Sequence, residues 1–71
     1  MNAKRIQRTR NVLSEYRNAL QDMAFDLEDR VEYSELPADA ANELAEKLYA
    51  AMRDMEELHR QFNTAIEQGE L

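Results

Sequence analysis

The sequence predicts an all-α protein, an antiparallel hairpin of two long helices folded at Leu36-Pro37 that dimerises into a four-helix bundle. Three observations carry this. One glycine and one proline in 71 residues leave little to interrupt regular structure. Ala, Leu, Glu, Arg, Gln and Met, all good helix formers, dominate the composition. Apolar residues recur at alternating steps of three and four on both sides of the proline, the period of a one-sided helix.

The first helix is expected over residues 3–33. Ile6, Leu13, Tyr16, Leu20, Met23, Leu27 and Val31 form its stripe. Read as heptads, Ile6, Leu13, Leu20 and Leu27 share one seam position, and Thr9, Tyr16, Met23 and Arg30 share the other. Asn2 suits an N-cap. A turn is expected at 34–36, because proline disfavours helical geometry in the residue before it. Pro37 then suits the first position of a second helix over 37–68, with Asp39 at its positive end. The second stripe is broader: Ala41, Leu44, Ala45, Leu48, Ala51, Met52, Met55, Leu58, Phe62, Ala65 and Ile66. Glu43 with Lys47 and Glu56 with Arg60 are favourable i,i+4 pairs, and Gly69 suits the residue after the helix. Each helix is then roughly 45 Å long.

Folding the chain at 35–36 sets Leu27 near Leu44, Leu20 near Met52, Tyr16 near Met55, Leu13 near Leu58 and Ile6 near Ile66. Apolar meets apolar at each level of this single domain. A two-helix hairpin needs only a narrow seam, however, and the second stripe is too broad for one neighbour. Ala41, Ala45, Ala51, Met52, Met55, Leu58, His59, Phe62 and Ala65 are therefore the expected contact surface for a second copy or another protein. Association also offsets small size, because the chain has no cysteine for disulfides or thiolate metal sites.

The net charge of −6 is unevenly placed. Residues 1–20 carry five basic side chains against Glu15, and residues 21–46 carry nine acidic ones against Arg30. The acidic end, with Asp26, Glu28, Asp29, Glu32, Glu35 and Asp39, is expected to solvate the hairpin and to dock a basic partner. The charged start predicts no secretory leader, and no stretch is long enough to cross a membrane, so a cytoplasmic protein is expected, in the host cytoplasm if phage-encoded.

No enzyme is expected, nor any cofactor or small-molecule substrate. Gly69 alone cannot build a phosphate loop, and a hairpin offers no deep cleft. Glu56 and His59 have the i,i+3 spacing of di-iron carboxylate ligands, a ferritin-like alternative. No inward carboxylate of the first helix meets their level, so no metal is expected. For nucleic acid, Lys4, Arg5, Arg8, Arg10 and Arg17 could contact phosphates, but only Arg10 and Arg17 line up. In length and topology the chain resembles the Rop-type helical hairpins. That resemblance implies a dimer binding RNA loops along its first helix, a face that Lys4 and Asn11 would suit. The favoured function is a regulatory or adaptor protein acting through helix-mediated protein–protein contact, with the RNA-binding dimer second.

Overall fold

The protein is described by a computed structural model covering residues 3–70. Two α-helices, α1 (Ala3–Glu32) and α2 (Ala38–Glu67), pack against each other as a hairpin of 50 × 17 × 10 Å. The expected cap at Asn2 lies outside the described residues.

The turn is built by local hydrogen bonds rather than by proline alone. Ser34 adopts a left-handed backbone with φ of 59°. Its N–H donates to Val31 O at 3.0 Å, and the Glu35 N–H donates to Arg30 O at 2.8 Å. This pair of hydrogen bonds closes the last turn of a helix on one left-handed residue. That residue is normally glycine, so Ser34 holds it at a steric cost of about 1 kcal/mol. Pro37 then caps α2 rather than standing inside it. It is extended (φ −60°, ψ 128°), and its carbonyl accepts the Ala41 N–H at 3.1 Å. Asp39 sits in the first turn, where the helix dipole favours a carboxylate. At the far end Gly69, with φ of 75°, repeats the closing pattern: its N–H donates to Ile66 O, and the Glu70 N–H donates to Ala65 O.

The core is thin and made of small side chains. Ala24 of α1 and Ala41, Ala45, Leu48 and Met52 of α2 are the buried apolar residues. No large side chain among the described residues is fully buried. Three alanines at the contact let the helices approach closely, and they leave little apolar area removed from water.

The seam of α1 differs from the expected one by a single residue. Ile6, Leu13, Leu20 and Leu27 face α2 as predicted, each half-buried. Their seam partners are Arg10, Arg17, Ala24 and Val31, not Thr9, Tyr16, Met23 and Arg30. Tyr16 and Met23, expected inside, are 57% and 54% exposed. The reason is steric and polar together. Ala24 admits the backbone of α2, and the long stems of Arg10 and Arg17 lie along the seam with their heads at its edge. On α2 the seam is regular: Ala41, Leu48, Met55 and Phe62 alternate with Ala45, Met52, His59 and Ile66, all buried or half-buried. Leu44 and Leu58, also expected inside, are about half exposed.

Candidate association face

An antiparallel helix pair has two edges beside its seam, and residues flanking the seam equally on each helix meet along the same edge. One edge here carries Gln7, Ser14, Gln21 and Glu28 of α1, and Asn42, Tyr49, Glu56 and Asn63 of α2. The other carries Thr9, Tyr16, Met23 and Arg30, and Leu44, Ala51, Leu58 and Ala65. The first edge is polar; the second is apolar between Thr9 and Arg30 at its two ends.

Three side chains bond across to the other helix on the polar edge. Arg10 Nε donates to Asn63 Oδ1 at 2.8 Å. Arg17 Nε donates to Glu56 Oε1 at 2.9 Å, and its Nη1 donates to Gln21 Oε1 at 2.6 Å. The Tyr49 hydroxyl donates to Glu28 Oε1 at 2.9 Å. That bond, with smaller help from desolvation and the carboxylate charge, raises the Tyr49 pKa above its ordinary value of 10. The two arginine bonds set residue 10 opposite 63 and 17 opposite 56, while Tyr49 reaches about one turn along α1 to Glu28. The sequence-based register agrees within about two residues.

Arg10 and Arg17 do line up, as their spacing indicates, but they line up on the seam and bond across it. Lys4 and Arg8 are exposed, and they do not join Arg10 and Arg17 in one basic face. Glu56 is engaged by Arg17 rather than by Arg60, whose guanidinium binds Glu57 instead. Arg60, and after it Gln61, hold the Glu57 carboxyl down at about 2. The Glu43–Lys47 pair forms as expected, at 3.8 Å. His59 is half-buried in the seam. Among the described residues no three His, Cys, Asp or Glu gather as a metal site.

The expected contact residues of α2 divide into two sets. Ala41, Ala45 and Met52 are covered by α1, and Met55, His59 and Phe62 are half-covered. Ala51, Leu58 and Ala65 line the open apolar edge. What the sequence did not single out is the share of α1 in that edge, Tyr16 and Met23. At the turn the edge ends in an apolar notch of about 220 Å³, lined by Leu27, Leu36, Pro37, Ala40, Ala41 and Leu44.

The acidic residues of the turn are exposed. Arg30 bridges two of them, Asp26 at 2.9 Å and Glu35 at 3.0 Å, and the Asp26 bond chiefly raises the arginine pKa. Glu28 takes the Tyr49 bond, while Asp29, Glu32 and Asp39 add charge to the same end. Among the described residues no helix is long and apolar enough to cross a membrane. No protein-family model, curated protein or solved structure matches the chain.

Proposed function

We propose that this chain is a non-enzymatic association module, a regulatory or adaptor hairpin that works by seating its apolar edge against a second copy to complete a four-helix bundle. One observation carries the reading. Four of the six large exposed apolar side chains, Tyr16, Met23, Leu44 and Leu58, share one edge, with Phe25 and Tyr33 elsewhere, while the bonds of Arg10, Arg17 and Tyr49 across the seam occupy the other. Scattered exposed apolar residues are ordinary on any protein, but a contiguous apolar strip opposite a polar one marks a contact surface.

Area supports the same reading. A compact monomer of 8.3 kDa exposes about 4,600 Å². The hairpin exposes 5399 Å². The excess is close to the roughly 800 Å² that each partner contributes to a standard stable interface. The thin alanine core adds an energetic reason, since so small a buried area leaves a lone hairpin marginal.

Sedimentation equilibrium tests the proposal. The expected mass is twice 8.3 kDa at micromolar concentration. A single-chain mass persisting to several hundred micromolar would remove it.

A further inference from the structure

We infer that the two copies pack head to tail, the acidic turn of each lying beside the basic open end of the other. The inference rests on the association reading above and specifies how the second copy sits. The basic partner expected for the acidic turn is thereby another copy of the same chain.

Charge is the first ground. In the observed register, the open end comprises residues 3–13 and 60–70. It holds Lys4, Arg5, Arg8, Arg10 and Arg60 against Glu67 and Glu70, a net +3. The turn end, residues 22–48, holds nine carboxylates against Arg30 and Lys47, a net −7. Packed helices lie about 10 Å apart, comparable with the screening length at physiological salt. A turn-to-turn dimer therefore sets −7 beside −7 and +3 beside +3. The head-to-tail dimer sets −7 beside +3 at both ends.

Shape is the second ground. A twofold axis across the apolar edge, passing midway between Tyr16 and Met23, brings Tyr16 of one copy against Met23 of the other. On α2 the corresponding axis lies midway between Ala51 and Leu58. It sets Leu58 against Ala51, and Leu44 against Ala65, so that each large side chain meets a small one. The hairpin register places these two midpoints at one level within about one residue, so a single axis serves both helices. The notch between Leu27 and Leu44 then lies beside the open end of the other copy, where Ile6 and Phe62 are bulky. Turn to turn, notch would meet notch.

Two measurements test this. The chain has no cysteine, so Tyr33→Cys, at a 74% exposed turn position, carries the only spin label. Head-to-tail packing separates the two labels by about 40 Å or more along the 50 Å bundle. Turn-to-turn packing brings them within about 20 Å. On the unmodified chain, raising salt from 50 to 500 mM weakens a head-to-tail dimer, with Kd rising about threefold or more, because attraction between the ends is screened. The same salt would tighten a turn-to-turn dimer. Long separation with salt-weakened association supports the inference. A dimer with short separation, or one tightened by salt, overturns the inference and leaves the association reading standing. A monomer under all conditions overturns both.

Discussion

The two edges of the hairpin are built from the same helices and the same heptad spacing, yet they do opposite things. Along one edge Arg10, Arg17 and Tyr49 reach across the seam and bond to Asn63, Glu56 and Glu28. Much of that edge is closed within the single chain: Gln21, Glu28, Glu56 and Asn63 each accept a bond there, and its ion pair is still wet enough to contribute only a few tenths to about 1 kcal/mol. Along the other edge Tyr16, Met23, Leu44 and Leu58 stand about half exposed. The polar edge sets register, and the apolar edge is the one proposed above to seat a second copy. Hydrogen bonds are suited to the first task because they are directional. Apolar area suits the second because it is gained wherever water is displaced.

The comparison breaks most visibly if charge is placed on the open edge. Tyr16→Glu with Leu58→Glu should weaken self-association by more than about a hundredfold, since carboxylates would be buried without partners. Gln21→Glu with Asn42→Glu, an equal charge change on the polar edge, should leave the sedimenting mass unchanged. Equal loss from both pairs would mean that the edges are not distinct.

A smaller effect is expected in the seam that separates them. Ala24 is 0% exposed, and in the observed register it stands at the level of the buried Leu48 and Met52. Ala24→Leu should cost about 1–3 kcal/mol in urea unfolding, because the added methylenes have no space. A stabilised variant would show that the helices are not closely packed there.

How much of this could be read from the residues alone follows from that same seam. The hairpin and its turn were legible, because helix formers run unbroken up to Pro37 and the apolar period resumes after it. Which flank of Ile6, Leu13, Leu20 and Leu27 completes the seam was not. Steps of three and four fit Thr9, Tyr16 and Met23 as well as they fit Arg10, Arg17 and Ala24. Hydrophobicity favours the first set, but close approach and cross-helix bonding favour the second. The pairing of Arg10 with Asn63 and of Arg17 with Glu56 was the signal, and it emerges only once the register is known. Ser34 was hidden for a different reason: a serine carries no mark of the left-handed geometry that glycine would announce.

On the polar edge the expected changes are smaller still. Arg17→Gln should lower stability by at most about 1 kcal/mol and leave the mass of the assembly as it was. Dissociation of the dimer by this change would move the contact surface to the wrong side. Glu28→Ala, which removes the acceptor, should bring the Tyr49 titration, followed by phenolate absorbance, back toward 10. The sign follows from the raised phenol pKa: the Glu28 bond stabilises the fold below the ordinary tyrosine range and is lost as pH rises through the Tyr49 pKa. An unchanged titration would show that the bond does not form in solution.

The claim that matters most is that the apolar edge, and not the polar one, is covered by a second copy. Isotope-filtered nuclear Overhauser spectroscopy on an equimolar mixture of labelled and unlabelled chains tests it directly. Coverage by a second copy gives intermolecular cross-peaks to the Met23 methyl and the Leu58 methyls, with the Tyr16 ring of the other copy among the partners of Met23. Intermolecular cross-peaks confined to the Tyr49 ring and the Gln21 and Asn42 side chains would contradict it, as would a spectrum with none.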